Sequence, residues 1–271
     1  MRRSGGSADR REAGRRVLAD GPRSGVRRRL LEELVTANRI LAREGVVDAF
    51  GHVSARHPTR PDRFILSRAR PPQCVAAADL MEFTLDGAPV EPDGRPLYAE
   101  RFIHAGVYEA RPDVMAVVHT HSVSVIPFGV TGVPLRPVLH MCASIGSCVP
   151  VWDARTTFGD TNLLVTDMAM ARDLAAALGS RPAALMRGHG CVVVGRSLRE
   201  AVFTAVYLEL NADLQLKAQA LGEVTFLTDG EIEAVLRRRG PFTYERAWEY
   251  WCHRAGRPYD PQRIDNPRGG R

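Results

Sequence analysis

The 271-residue sequence predicts an α/β protein in which helices cover a mixed or antiparallel sheet. Stretches with helical periodicity alternate with short apolar segments, as in α/β folds. Several of the short segments follow one another closely enough to pair as hairpins, which disfavours a purely parallel βαβ array. The sequence contains neither a Gly-x-Gly-x-x-Gly nor a Walker-type loop, so it gives no support for a nucleotide site.

The first half of the chain predicts two helices and several strands. "RRLLEELVTANRILAREG" has apolar residues at helical spacing and ends on Gly45, which suits a C-terminal cap. "GHVSARHP" and "RFILSR" are short strand-like segments broken by glycine and proline. "FTLDGAPVE" has an Asp-Gly between apolar residues and predicts a hairpin. Residues 98–111 carry a helical apolar stripe that ends before Pro112.

The second half predicts the core of the sheet and a long helix. "VMAVVHTH" and "PAALMRGHGCVVVG" have the composition of core strands. Residues 168–178 are predicted to be helical, with Gly179 as the stop signal. "SLREAVFTAVYLELNADLQLKAQALG" predicts a long helix that opens with a Ser197/Glu200 capping box. The segment from residue 240 onward, rich in arginine and aromatic residues, gives no clear assignment.

Residues 1–29 are predicted to be a basic, disordered leader, and residues 30–271 to form the folded domain. The leader holds ten arginines and three acidic residues, a charge of +7 against +6 for the whole chain, so the remainder is near −1. Its Gly/Ser/Arg composition cannot pack a core. Because the folded part has no basic excess, we predict no nucleic-acid partner.

The cysteines and the apolar segments bear on the cellular location of the protein. The five cysteines are Cys74, Cys142, Cys148, Cys191 and Cys252. An odd number without a CxxC pair predicts reduced thiols and a cytoplasmic protein. No apolar run approaches the roughly 18–20 residues that span a bilayer, and the N-terminus lacks the apolar region of a secretory signal. We therefore predict no membrane partner.

Two histidines, His119 and His121, close the apolar run "VMAVVHTH". In a strand, residues i and i+2 point to the same face, so Val117, His119 and His121 share a face at the strand's C-terminal end. Two adjacent imidazoles cannot both be protonated cheaply, whereas a divalent metal binds both as neutral ligands. The pair predicts a metal site, with a merely polar strand end as the alternative.

A third histidine, His189, lies between two glycines in "MRGHGCVVVG", where the backbone can bend and turn the side chain into a cleft. Three protein ligands with an open position are typical of catalytic zinc. Glu100 begins the helix before the HxH strand and is the candidate carboxylate to accompany the histidines.

These motifs together resemble the class II aldolase/adducin family: an acidic residue before a helix, "VVHTHS", and a "GHG" strand followed by a long helix. The resemblance covers about residues 30–235. It implies a three-layer α/β/α sandwich around a mostly antiparallel central sheet, and a homotetramer with active sites at subunit interfaces. It also implies that His119, His121 and His189 are metal ligands and that Glu100 is an acid/base or the fourth ligand.

The chain departs from the sugar-phosphate aldolases and epimerases of that family at two places. Those enzymes hold phosphate with a Gly-Asn-x-Ser turn and a Ser-Ser pair before the acidic residue. Here the turn is "GHVS", with His52 in place of Asn, and the pair is Tyr98 and Ala99. Loss of these neutral donors predicts a substrate without phosphate. In "RPVLHMCASIG", His140 stands where an aldolase of the family has a catalytic tyrosine.

The segments "GHVSAR", "LSRAR", "LYAERFIH" and "LRPVLHM" resemble the decarboxylase branch of the family, which acts on hydroxy-carboxylic acids such as dihydroxyphthalate and hydroxy-carboxymuconic semialdehyde. Decarboxylation leaves an electron pair next to the lost CO₂, and a divalent metal that chelates an adjacent carbonyl or hydroxyl stabilises the enolate. His140, His52 and Glu100 are the candidates to protonate the carbon.

An arginine fork suits a substrate carboxylate because it binds both oxygens at once. Arg68 in "LSRAR" is the first candidate and Arg70 the second. Ser67, Ser54 and Tyr98 complete the predicted substrate-binding set.

We therefore predict a cytoplasmic, metal-dependent decarboxylase of a non-phosphorylated hydroxy-carboxylic acid, of aromatic or muconate type. Zn²⁺ is the first choice of metal, and Mn²⁺ or Co²⁺ would also suit three imidazoles and a carboxylate. A metal-dependent aldolase that cleaves a hydroxy-carbonyl compound is the alternative enzyme, because it starts from the same enolate. A non-catalytic, adducin-like structural domain is the alternative from another class.

Overall fold

A seven-stranded sheet with helices on both faces forms the centre of the computed structural model, which describes residues 22–259. The strands are β1 (His52–Arg56), β2 (Arg63–Ser67), β3 (Leu80–Thr84), β4 (Ala116–Thr120), β5 (Val151–Trp152), β6 (Ala183–Met186) and β7 (Gly190–Gly195). Their order across the sheet is β3-β2-β1-β4-β7-β6-β5. Neighbouring strands are antiparallel except β5 and β6, which confirms the predicted, mostly antiparallel sheet.

The helices divide between the two faces of this sheet. They are α1 (Pro22–Arg43), α2 (Arg101–Ala110), α3 (Ile126–Val130), α4 (Ala154–Phe158), α5 (Met168–Leu178), α6 (Leu198–Leu221), α7 (Asp229–Arg238) and α8 (Pro241–Arg254). None of the helices within residues 22–259 is long and apolar enough to cross a membrane.

Consecutive residues of β4 point into two separate hydrophobic cores, which makes the domain a three-layer sandwich. Val118 lies in a cluster that includes Ile40 of α1 and Phe203 of α6. Val117 lies in a second cluster with Ile103 of α2. A central strand that is buried on both faces needs apolar side chains at consecutive positions, one for each face. Each large apolar side chain that is fully buried contributes about 1.5–3 kcal/mol to the stability of the fold. His119, with the parity of Val117, therefore lies on the α2 side of the sheet.

The first helix begins earlier than the predicted domain boundary. α1 starts at Pro22, inside the segment assigned to the leader, and Arg27 pairs with Glu82 of β3 at 2.9 Å. This ion pair ties an arginine of the predicted leader to the sheet. Residues 1–21 of that leader lie outside the described residues.

The predicted Asp-Gly hairpin is present in shortened form. Gly87 has φ of +81°, and the amide of Thr84 donates to the carbonyl of Ala88 at 2.9 Å. The segment that follows the turn pairs with β3 through a single antiparallel bridge, between Phe83 and Pro89. Proline lacks an amide hydrogen, so the arm cannot extend the ladder as a regular strand.

The C-terminal region, which gave no assignment from sequence, forms α7 and α8. Trp248, Trp251 and Cys252 of α8 are buried in the same core as α1 and α6. Elsewhere α5 matches the predicted range of 168–178, and Gly179 ends it with φ of +56°.

Candidate active site

Two glycines, Gly51 and Gly190, lie close against the backbone at the end of β4, and this close approach brings the histidine-bearing segments together. Gly51 has φ of +89°, and a Cβ built on it would lie 2.9 Å from the carbonyl oxygen of His119. A Cβ on Gly190 would lie 2.0 Å from the carbonyl oxygen of Thr120. Any larger residue would push the neighbouring segments away from β4. The glycines therefore allow the start of β1, with His52, and the turn that carries His189 to approach the strand end.

Four side chains converge on the α2 side of this strand end. Ligand atoms of Glu100, His119, His121 and His189 all lie within 4.8 Å of one another. His121 Nε2 lies 3.2 Å from His119 Nε2 and 3.0 Å from His189 Nε2. These are the four residues that the sequence predicted as metal ligands, and the structure brings them together.

The ring of His119 is held in the tautomer that a metal ligand needs. Its Nδ1 lies 3.1 Å from the carbonyl oxygen of Cys191, which can only accept. Nδ1 therefore carries the proton, and the lone pair of Nε2 faces the other three residues. Burial, with His119 and His189 close by, lowers the pKa of His121 to about 4, so His121 is neutral near pH 7.

Glu100 is the N-cap residue of α2 and is buried. Its Oε1 accepts the amide of Val165 at 3.1 Å, and its Oε2 lies 3.6 Å from His119 Nε2 and 3.4 Å from His189 Nε2. Burial alone would raise the pKa of this carboxyl group, but the neighbouring imidazoles of His119 and His189 outweigh burial and hold it well below its usual range. Glu100 is thus a carboxylate with one oxygen turned to the histidines.

The spacing of these atoms fits a single small divalent ion. Two nitrogens bound tetrahedrally at about 2.0–2.1 Å from one zinc ion are about 3.4 Å apart. The observed separations of 3.2 and 3.0 Å from His121 to its neighbours are close to that value. Neutral imidazoles and a carboxylate are ligands that zinc, manganese and cobalt all accept. The donor set could therefore hold a divalent metal.

A buried polar network lies next to this cluster and begins at His52, the first residue of β1. His52 Nδ1 lies 2.6 Å from His104 Nε2, and His104 Nδ1 lies 2.6 Å from Ser54 Oγ. Ser54 Oγ is in turn 2.9 Å from the hydroxyl of Tyr108. The rings of His52 and His119 are 5.1 Å apart. Burial, with the neighbouring histidines, lowers the pKa of His52 well below its usual value.

Asp79 holds the two arginines of the predicted substrate-binding set. Arg68 Nε and Arg70 Nη1 each lie 2.6 Å from a different carboxylate oxygen of Asp79. The hydroxyl of Tyr98 donates to the backbone carbonyl of Arg70 and accepts from Ser67 Oγ at 3.4 Å. The arginines are about one-third exposed and keep further N–H donors.

Two other residues of the predicted site, Ser54 and His140, do not contact the group around Asp79. Ser54 is fully buried, and its hydroxyl contacts His104 and Tyr108. His140 is exposed at the start of the 3-10 helix His140–Ile145, and its carbonyl accepts from Arg239. It lies outside the four-residue group around Glu100.

His104 and Tyr108 also belong to the site, although the sequence did not predict them there. Both follow Glu100 at intervals of four residues, which places all three on one face of α2. That spacing was a usable signal, but a lone helical histidine more often packs in a core. Asp79 carried no comparable signal, because its contact with the arginines depends on a turn between strands.

Phe50 is a further residue beside the cluster that the sequence did not single out. It is 65% exposed, and its ring stacks on His121 with a centroid separation of 6.3 Å. An exposed aromatic ring at the edge of a polar site provides an apolar surface for a ligand.

The sheet, the helical layers and the four converging side chains define an α/β protein with a site whose residues could hold a divalent metal. The family model for the class II aldolase and adducin N-terminal domain matches residues 32–216. The chain belongs to this family.

Relatives and solved structures agree with this membership. The decarboxylase tropJ of Talaromyces stipitatus is 36% identical over 209 residues, which cover 72% of this chain and 79% of the relative. The 3,4-dihydroxyphthalate decarboxylase of Terrabacter sp. is 32% identical over 235 residues, covering 81% and 94%. The structure of L-fuculose 1-phosphate aldolase from Glaciozyma antarctica superposes with a TM-score of 0.72 at 25% identity, covering 88% and 94%. The chain is thus similar to both decarboxylases and aldolases, which are lyases.

Proposed function

We propose that the protein is a divalent-metal-dependent lyase that removes CO₂ from a non-phosphorylated hydroxy-carboxylic acid of aromatic or muconate type. One observation supports this most: the Glu100 cluster borders His52 and Tyr98, where phosphate-handling relatives have an amide and serines. The ring of His52 lies 5.1 Å from His119 and 4.5 Å from Tyr98. Decarboxylases at 36% and 32% identity support the same reaction.

Glu100, His119, His121 and His189 would hold the metal, with Zn²⁺ as the first choice and Mn²⁺ or Co²⁺ as alternatives. When bound, such an ion supplies a positive charge that stabilises the electron pair left by the departing CO₂. The hydrogen bond from His119 to Cys191 keeps the coordinating nitrogen of that ring deprotonated.

Arg68 and Arg70 would bind the substrate carboxylate, with Ser67 and Tyr98 as neighbouring donors. Asp79 orients both guanidinium groups and offsets part of their charge. An arginine already held by a carboxylate loses less side-chain entropy when a ligand binds. Ser54 would contribute through the His52 network, since its hydroxyl is fully buried.

The proton that replaces CO₂ would come from Glu100, His52 or His140. His140 is exposed on the single chain, away from the Glu100 group. In the proposed homotetramer with interfacial active sites, His140 of one copy would serve the site of the next. A cytoplasmic location, predicted from the scattered cysteines, also belongs to this proposal.

The alternative reaction is aldol cleavage of a hydroxy-carbonyl compound, supported by the structural similarity to an L-fuculose 1-phosphate aldolase. A non-catalytic adducin-like domain is less well supported, because the chain keeps all four residues of the ligand cluster.

The test is CO₂ release by zinc-loaded protein from a panel of hydroxy-aromatic and 2-hydroxymuconate acids. We expect CO₂ from at least one member and none after chelation. Absence of CO₂ throughout, together with aldehyde release from a hydroxy-ketone, would support the aldolase. A metal-free tetramer that stays inactive after addition of zinc or manganese would exclude both enzymes.

A further inference from the structure

The network of His52, His104, Ser54 and Tyr108 has one direction of hydrogen bonding in which the hydrogens of Tyr108, Ser54 and His104 all have a protein acceptor. These three donors are buried, so a hydrogen without an acceptor would be costly there. The direction can be derived from the innermost residue outward, because a phenol at this depth has few choices.

Tyr108 is the innermost donor. Burial raises the pKa of its phenol, so the hydroxyl keeps its hydrogen. In the part of the chain that the structure describes, the hydroxyl has Ser54 Oγ at 2.9 Å and the backbone of Val117 as partners. The Val117 contact lowers the phenol pKa, so it comes from the amide, which can only donate. The phenol therefore donates to Ser54, and the single hydrogen of Ser54 is left for Nδ1 of His104 at 2.6 Å.

His104 transmits this direction to His52. Burial lowers the pKa of His104 to about 3, so its ring is neutral and has one N–H. Since Nδ1 accepts from Ser54, the hydrogen is on Nε2, which donates to Nδ1 of His52 at 2.6 Å. The hydrogen of His52 is then on Nε2, the ring nitrogen that His104 does not engage.

We propose that Tyr108, Ser54 and His104 are positioning residues that hold His52 as the Nε2–H tautomer, a neutral hydrogen-bond donor to a substrate oxygen beside His119. The identity of that substrate rests on the proposed function, whereas the tautomer does not. An imidazole N–H donates without charge, as does the amide of the asparagine that His52 replaces.

The opposite direction would make His52 an acceptor. It would place the hydrogen on His52 Nδ1 and direct the Ser54 hydroxyl at Tyr108. The Tyr108 hydroxyl would then need another acceptor in a fully buried position, and a buried donor without one is costly. His52 would present a lone pair to the substrate and could act as a base.

The direct test is ¹⁵N NMR of the zinc-loaded full chain with labelled histidine, since ring nitrogens with and without hydrogen have distinct shifts. His52 signals are assigned by their loss in His52→Asn. We expect the hydrogen of His52 on Nε2 in a single tautomer. A hydrogen on Nδ1, or a mixture of tautomers, would overturn the proposal. This readout needs no turnover, so it stands apart from the test for CO₂.

Ser54→Ala tests the direction of the network at its centre. Without the hydroxyl, Nδ1 of His104 has no donor and His104 can carry its hydrogen on either nitrogen, so we expect both His52 tautomers and a kcat lowered about 10-fold at unchanged metal content. Ser180→Ala, an exposed serine, is the matched control and should change neither. A single, unchanged tautomer in Ser54→Ala would contradict the role of the network.

Discussion

Nδ1 of His119 donates to the carbonyl oxygen of Cys191 at 3.1 Å, and this contact leaves the lone pair of Nε2 facing Glu100, His121 and His189. The carbonyl belongs to β7, the strand paired with β4, so the sheet itself orients this imidazole. A ligand positioned by backbone keeps its tautomer when side chains around it change.

Replacing His119 should remove metal and activity together. His119→Ala deletes one of the three imidazole nitrogens of the cluster, and we expect metal below stoichiometric amounts and activity reduced more than about 100-fold. Metal content by elemental analysis and turnover by CO₂ release provide the readouts. His253→Ala, an exposed histidine, is the control. Full turnover in His119→Ala would show that the ligand assignment is wrong.

Gly190 should tolerate no side chain. Gly190→Ala places a Cβ 2.0 Å from the Thr120 carbonyl, which must separate β4 from β7 next to His189 and His121. Overpacking against backbone predicts a loss of at least about 2 kcal/mol in the free energy of unfolding, with weaker metal binding. Urea denaturation and metal titration measure both. Gly230→Ala, whose Cβ has only a contact at 3.9 Å, should cost little. Equal stability of the two variants would contradict this packing.

Asp79 should stabilise the protein in a pH-dependent way. Burial raises the pKa of its carboxyl group, but the amide of Ala76 and the guanidinium groups of Arg68 and Arg70 outweigh burial and lower the pKa below its ordinary value. A lowered folded-state pKa gives stability that is present above about pH 4, the unfolded value, and is lost as the pH falls through the folded value.

Comparison with Asp79→Asn by urea denaturation tests this dependence. The wild type should exceed the variant by about 2 kcal/mol between pH 5 and 7, and the difference should shrink below about pH 4. Asp160→Asn, an exposed position, is the control. A difference that persists unchanged to pH 3 would show that the charge of Asp79 is not its source.

Subunit mixing tests the proposed place of His140. His119→Ala and His140→Ala should each be inactive alone. If each site combines the metal ligands of one chain with His140 of another, random exchange in a tetramer restores about a quarter of wild-type activity. Sedimentation and exchange of labelled subunits confirm mixing. Verified exchange without recovery would place His140 within its own chain's site or outside the reaction.

The motifs predicted the sheet and the ligands because their signals are local. Each ligand motif spans only a few residues: the HxH pair lies at the end of one strand, and His189 lies between two glycines. The local backbone geometry therefore suffices to predict the direction of these histidine side chains. His104 and Tyr108 could not be placed in the same way, since their roles depend on α2 packing against β1. Asp79 was missed for a similar reason: its partners Arg68 and Arg70 lie across a turn. The aromatic helix α8 also lacked a readable period, although Trp248 and Trp251 complete the core around α1 and α6.

The most direct measurement of the central claim is anomalous diffraction at the zinc absorption edge from crystals of the zinc-loaded full chain. A single peak per chain within bonding distance of Nε2 of His119, His121 and His189, and next to an oxygen of Glu100, is the predicted result. A peak at other residues, or no peak in protein that releases CO₂, would contradict the assigned metal centre.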